Sequence, residues 1–272
     1  MEKTKWTKMS RSHLIKLIYR STLFLSALIY FLVSLITGHA KYGEKEVLFV
    51  SSYSEVPVFL IIMCLVFITE MVFRFFPNKH ESIGNQKAFK RNYIKAKGAT
   101  CGQKPRNQHF ARTLLVFGAW VTLNGIIGAL YIAKIISDDV MVLISLAYSV
   151  CDLICIMFFC PFQAWMMKNK CCATCRIYNW DYPMMFTPFL FLILRPGVYL
   201  HYVLLFGALV VLLFWEITRH VHPERFAENT NERLSCKHCT EKTCRHNKMF
   251  PNKKAIGELI RQAKEQEKAM KK

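Results

Sequence analysis

The chain has 272 residues, of which 53% are hydrophobic and 20% are charged, and its formal net charge is +19. A soluble domain of this length alternates polar and apolar residues, whereas here the apolar residues form long runs, which excludes an ordinary soluble fold. A charge of this size would suggest nucleic acid as a partner. The basic residues lie between the apolar runs, however, as membrane topology requires, so we expect a lipid bilayer and no nucleic acid.

The apolar runs predict an all-α fold, a polytopic helical membrane bundle of about six transmembrane helices, because a helix needs roughly 20 apolar residues to cross a bilayer. The bundle comprises residues 1–218, and residues 219–272 form a small cysteine-rich cytoplasmic tail. No small-x-small cleavage site follows the first run, so we interpret it as a retained first span, with Arg20 just before it able to extend its side chain to the membrane interface. The predicted spans, in chain order, are residues 21–37, 56–76, 114–136, 140–162, 182–194 and 198–218.

The boundary between the fifth and sixth spans depends on the sequence Arg195-Pro196-Gly197. Proline followed by glycine is typical of a turn, so we divide this region into a short span and a longer one. The alternative is one long helix kinked at Pro196. That helix would leave Arg195 near the middle of the membrane, where a charge is costly, and the hairpin is therefore favoured.

The distribution of basic residues predicts the orientation. All but four of the 37 lysines and arginines lie before the first span, in the loops 77–113 and 163–182, in the tail, or, for Arg74, at the end of the second span. The positive-inside rule then places both termini and both large loops in the cytoplasm, and we expect the plasma membrane as the location. Two termini on one side require an even number of crossings, which six spans satisfy and five do not. The exceptions on the other face are Lys41, Lys45, Lys134 and Arg195.

The chain has eleven cysteines, and the seven that lie in loops all fall on the predicted cytoplasmic side. The cytoplasm keeps thiols reduced, so cysteines clustered there indicate metal binding or reactive thiols rather than disulfides. The loop cysteines are Cys101, Cys171, Cys172, Cys175, Cys236, Cys239 and Cys244.

The clearest metal-binding pattern lies in the tail. Cys236 and Cys239 have the Cys-x2-Cys spacing that lets two thiolates bind one ion from a tight turn. Cys244 and His246 would complete a tetrahedral set of four ligands, with His238 as an alternative to His246. The tail has no hydrophobic core of its own, and a bound metal would give it a fixed structure.

A second cysteine cluster, Cys171, Cys172 and Cys175, follows the fourth span and could add ligands to the same site. Zinc is one interpretation of these ligands, and an iron–sulfur cluster, which needs four cysteines, is another. Free or redox-active thiols without metal are the third. The histidine in the tail favours zinc.

One ionisable residue lies deep in the predicted membrane region. Asp152 is near the middle of the fourth predicted span, and an acid at that depth is by default a functional-site hypothesis. Asn124 is at a similar depth in the third span and could form a hydrogen bond to it. A structural Asp–Asn pair and a proton or ion transfer step remain equally open.

Three functions fit these patterns. The first is a membrane protein with a cytoplasmic metal site and a possible redox or electron-transfer role. The second is a transporter or channel that uses Asp152, with a purely structural metal site. The third is a scaffold whose tail binds a cytoplasmic protein partner. The chain has no Walker loop, dinucleotide-binding glycine pattern, nucleophile elbow or His-Glu-x-x-His motif, so the enzyme classes that carry these motifs are not indicated. Whether the protein is an enzyme of another class remains open.

Overall fold

The structure, a computed structural model, describes residues 8–36, 58–77, 83–96, 110–169, 174–192 and 200–235. These residues form helices and turns and contain no strand. The Arg195-Pro196-Gly197 turn and the end of the tail lie outside the described residues. The helices are α1 (Lys8–Ile36), α2 (Val58–Phe73), α3 (Ile83–Ala88), α4 (Phe110–Ile132), α5 (Asp138–Met157), α6 (Asp181–Phe186), α7 (Phe189–Leu192) and α8 (Leu200–Val221).

Four of these helices contain a segment long and apolar enough to cross a membrane: Arg11–Val33, Phe110–Ile132, Asp138–Met157 and Leu200–Val221. Their outward faces are apolar, with Phe110 80% and Phe206 69% exposed. A soluble monomer rarely exposes continuous apolar surface of this extent, whereas a bilayer covers it. The predicted helical membrane bundle agrees with these four helices. The apolar part of α2, Ile61–Phe73, is shorter, and α6 and α7 are shorter still.

The contacts between helices establish their directions. α2 and α8 run parallel, because the Cys64 thiol donates to the Leu200 carbonyl at 3.7 Å and Gly207 lies against Met71 further along both helices. α1 runs antiparallel to α2 and α5, and α6 and α7 run antiparallel to α8. We call the end at which α1 and α4 begin and α2, α5 and α8 end the basic end.

The interior of the bundle is built around α6 and α7. Tyr182, Phe186 and Phe189 are each no more than 1% exposed and pack with Phe67 and Trp215 in one hydrophobic core. The helix breaks before Phe189, where the chain reads Thr187-Pro188, because proline has no backbone N–H to continue the hydrogen-bond ladder. α6 and α7 lie in the region predicted as a short fifth span, residues 182–194, where they form a broken segment packed among longer helices.

Two segments outside the long helices pack together at the basic end. The amide of Ala96 donates to the Thr230 carbonyl at 3.0 Å, and the amide of Glu232 donates to the Ile94 carbonyl at 2.8 Å. Asn231 is fully buried, and its side-chain amide donates to the Lys87 carbonyl at 3.0 Å. Residues 83–96 therefore form one cap with residues 223–235, the first part of the predicted tail.

The first helix begins earlier than the sequence predicted. α1 starts at Lys8 rather than at residue 21, the start of the predicted first span. The prediction placed Arg20 at the membrane interface, where its side chain would reach water. The structure corrects this, because Arg20 is 2% exposed and is directed into the bundle, where it finds partners on other helices.

Candidate functional site

Arg20 is the centre of a network of buried charged residues. Its guanidinium donates to Glu70 of α2 and to the Ser149 carbonyl of α5, the latter at 3.0 Å. The same guanidinium lies 3.6 Å from the Asp152 carboxylate and 5.2 Å from the centre of the Phe67 ring. One arginine thus connects three helices.

A second ion pair lies beside the first. Arg74, just after α2, pairs with Asp181 at the start of α6, and both side chains are almost fully buried. The Arg74 guanidinium also lies 5.2 Å from the centre of the Tyr182 ring. The Tyr182 hydroxyl donates to Glu70 at 3.2 Å, which joins the two ion pairs into one network.

The network is balanced in charge. Lys16 lies one turn before Arg20 on α1, and its ammonium is 3.9 Å from the Glu70 carboxylate. Among the described residues, the cations of the network are Lys16, Arg20 and Arg74, and the network contains an equal number of carboxylates. The carboxylates belong to Glu70, Asp152 and Asp181.

Burial makes this arrangement sensitive to the loss of any member. Removing one partner of a buried ion pair leaves an uncompensated charge and costs about 3–5 kcal/mol, whereas replacing both partners by apolar residues is often neutral. The members of the network differ in burial. The side chains of Arg20 and Glu70 are 3% and 6% exposed, whereas the Asp152 side chain is 20% exposed. Asp152 is thus the most accessible acid of the network.

The two intramembrane residues predicted as a site have separate environments. Asp152 faces Arg20 and lies five residues before the end of α5, so it is at the basic end rather than at the middle of that helix. Asn124 is buried on α4, and its side-chain amide donates to the Trp120 carbonyl at 3.0 Å. Among the described residues, the two side chains make no hydrogen bond to each other.

Most of the network was absent from the predicted site. Glu70 and Arg74 are four residues apart, which is the spacing of a local ion pair on one helix face. The structure shows that both residues also reach across to other helices. The available signal was the position of Arg20 beside a long apolar run, since an arginine there is inexpensive only if it finds a partner or reaches water.

Cys175 is the only predicted metal ligand within the described residues. It is 4% exposed and packs with Val116, Met167 and Ile177 near the start of α4. Burial raises the pKa of its thiol to about 11, so the thiol is protonated at neutral pH. The other predicted ligands lie outside the described residues: Cys171, Cys172, Cys236, Cys239, Cys244 and His246.

The described part of the chain shows no further metal-binding geometry. Within it, no group of three or more His, Cys, Asp or Glu side chains is arranged to hold an ion. The chemistry of the described site is therefore that of hydrogen-bonded ion pairs, which can hold, release or transfer a proton.

Comparison with known proteins gives no family assignment. No protein-family model, no curated protein and no solved structure matches the chain. The interpretation of the site therefore depends on its own geometry.

Proposed function

We propose that this chain is a membrane transporter of about six spans that carries protons across the membrane through the charge network at its basic end. The observation that supports the proposal is the position of Arg20, which holds carboxylates of two different helices inside an apolar bundle. Ionisable groups buried in membrane helices commonly mark proton relays and substrate pathways.

Within this proposal, Asp152 is the group that takes up and releases the proton. Glu70 accepts hydrogen bonds from both Arg20 and Tyr182. Asp152 has a longer contact of 3.6 Å to Arg20 and is more exposed. A proton on Asp152 therefore breaks the fewest bonds of the network.

Protonation of Asp152 would change how α5 is held against α1. The neutral carboxyl loses its attraction to Arg20, while Arg20 keeps Glu70 and the Ser149 carbonyl. A ligand or a proton shifts a conformational equilibrium only by its different affinity for the two states. The loss of one ion pair between two helices supplies such a difference.

The test is proton uptake by the purified full chain in liposomes that contain a pH-sensitive dye. A potassium diffusion potential supplies the driving force, so that no transported solute needs to be known. We expect proton uptake above that of empty liposomes, and we expect Asp152→Asn to abolish it. Glu224→Gln is the matched control, because it makes the same change at a carboxylate that is 38% exposed and outside the network.

Two results would contradict the proposal. One is uptake by the wild-type chain no faster than in empty liposomes. The other is uptake by Asp152→Asn equal to that of Glu224→Gln at the same amount of folded protein. The second result would leave the charge network with a structural role only.

We also propose that the basic end faces the cytoplasm, with both termini there, and that the protein resides in the plasma membrane. The excess of lysine and arginine in the termini and in the two large loops supports this orientation. Reporter fusions at the two termini test it, and a fusion at either end that is active only outside the cytoplasm would overturn it.

A second proposal is a metal site formed by the loop cysteines, with zinc preferred over an iron–sulfur cluster and with a possible redox role. The supporting observation concerns Arg219, which is close enough to act on the Cys175 thiol and lies 4.8 Å from the centre of the Phe226 ring. Cys175 and Phe226, which lies in the segment before Cys236, thus both lie near one arginine.

Metal analysis tests this second proposal. The full chain, purified without oxygen, should carry a stoichiometric metal that is lost when Cys236, Cys239 and Cys244 are all replaced by serine. Iron with a visible chromophore would identify a cluster instead of zinc. Absence of any bound metal from the wild-type chain would overturn the proposal.

A further inference from the structure

Two partly exposed cysteines lie where α5 ends, and neither the charge network nor the predicted metal site includes them. Cys155 is in the last turn of α5, one turn after Asp152, and Cys160 lies three residues beyond the end of the helix. Both are free thiols. A cysteine that only fills space in a core is buried, as Cys64 is at 3% exposure. The accessibility of this pair therefore calls for a different role.

The end of α5 brings the two cysteines together. The amides of Phe158 and Phe159 both donate to the Ile154 carbonyl, at 2.9 and 3.3 Å. The second bond spans five residues, one more than the bond of an α-helix, so the chain coils back over the last turn of α5. The Cys155 thiol donates a hydrogen bond to the Cys160 sulfur across this turn. Because a disulfide forms only between cysteines whose backbones are close, the turn places the two thiols where one can form.

The two thiols differ in their surroundings. The Cys160 sulfur also accepts a hydrogen bond from the Gln163 amide at 3.4 Å. Hydrogen bonds donated to a sulfur favour its thiolate, which is the reactive form of cysteine. Cys155 is the donor in the bond between the two cysteines and keeps its proton. Cys160 is therefore the attacking thiol, and Cys155 is the thiol beside it that can complete a disulfide.

We infer that Cys155 and Cys160 form a reversible dithiol–disulfide site that a peroxide oxidises. The Cys160 thiolate attacks one oxygen of hydrogen peroxide, an S–O bond forms, the O–O bond breaks, and the departing hydroxide takes the thiol proton and leaves as water. The Cys155 thiol then attacks the sulfenic acid, so that the S–S bond forms, the S–O bond breaks and a second water leaves with the Cys155 proton. The pair loses two electrons and the peroxide gains them. A dithiol reductant returns the electrons by thiol–disulfide exchange.

This inference goes beyond the proposed function, because disulfide formation requires neither proton transport nor a bound metal. The test uses the full chain, reduced in detergent and treated with increasing amounts of hydrogen peroxide. Remaining thiols are then blocked with maleimide, and mass spectrometry locates the disulfide by peptide fragmentation. We expect a bond between Cys155 and Cys160 that dithiothreitol reverses. Cys151 is exposed and lies one turn before Cys155, so it should stay open to maleimide as an internal control.

Three serine variants test the roles of the individual thiols. Cys155→Ser should stop at the sulfenic acid, so dimedone, which reacts with sulfenic acids, should label Cys160 in this variant and not in the wild type. Cys160→Ser should lose both the disulfide and the dimedone label on the pair. Cys151→Ser is the matched control and should form the disulfide as the wild type does. Serine is close to cysteine in size, and circular dichroism checks that each variant keeps its helix content.

The wild-type chain alone can overturn the inference, whatever the variants do. It fails if peroxide leaves both thiols open to maleimide, or if peroxide joins either of them to another cysteine instead. Dimedone labelling of Cys155 in Cys160→Ser as strong as that of Cys160 in Cys155→Ser would overturn the assigned order of attack. Asp152→Asn should still form the disulfide, so a failure of proton uptake and a failure of thiol oxidation are seen in different experiments.

Discussion

Replacing Arg20 by methionine tests how much the Arg20 guanidinium stabilises the network. Methionine keeps an unbranched apolar side chain in the same space and removes only the guanidinium. Glu70 and the Ser149 carbonyl then lose a donor, and Asp152 loses its cation. We expect destabilisation of about 3–5 kcal/mol, as for other buried ion pairs from which one partner is removed.

The second half of this prediction is a double variant. Replacement of Glu70 by methionine alone leaves Arg20 buried with only Asp152 as an acid, and we again expect a loss of about 3–5 kcal/mol. The Arg20→Met and Glu70→Met double variant removes both buried charges of the closest pair. It should therefore be more stable than the sum of the single changes predicts, by about 2 kcal/mol or more.

Unfolding by added denaturing detergent, followed by circular dichroism, measures the four free energies of this double-mutant cycle. A control cycle uses Arg225 and Glu224, whose contact of 3.9 Å involves a carboxylate that is 38% exposed, and its coupling should be below about 1 kcal/mol. The reasoning fails if Arg20→Met costs less than about 1 kcal/mol, or if the two networks show the same coupling energy.

Other features of the fold give further predictions. Gly128→Ala would place a methyl group 2.1 Å from the Phe191 ring, so we expect a loss of about 1–3 kcal/mol, and an unchanged melting temperature would contradict the close approach of α4 and α7. Asn231→Ala removes buried hydrogen bonds of the cap, and hydrogen exchange should rise in residues 83–96; exchange like that of the wild type would refute this role. The Cys175 thiol, with its pKa raised to about 11, should react slowly with maleimide at neutral pH, as followed by mass spectrometry of its peptide. Its rate should rise between about pH 9 and 11, and a fast reaction at pH 7 would show that the thiol is not buried.

The long helices could be predicted because apolar runs of span length have few alternative structures. α4, α5 and α8 each lie within a few residues of their predicted limits. The short fifth span was predicted from residues 182–194, and α6 and α7 occupy this region. Its break at Thr187-Pro188 was not predicted, because a single proline is a weaker turn signal than the Pro-Gly pair further along the chain.

The charged site could be predicted only in part. Asp152 stood out in the sequence because an acid within an apolar run is unusual, and the structure places it in the network. Its partner Arg20 was assigned to the interface, because basic residues at the ends of apolar runs usually reach water. The helix packing decides which charged residues pair, because partners such as Arg20 and Glu70 are far apart in the chain. Hydropathy carries no information about that packing.

The most direct test of the central claim is a joint measurement on Asp152→Asn of its stability and its proton uptake in liposomes. Asp152 is partly exposed and holds Arg20 by a 3.6 Å contact, so we expect a smaller stability loss than for Arg20→Met, together with complete loss of uptake. That result would separate a functional acid from a structural one. Uptake at the wild-type rate by the folded variant would contradict the claim that this charge network carries protons across the membrane.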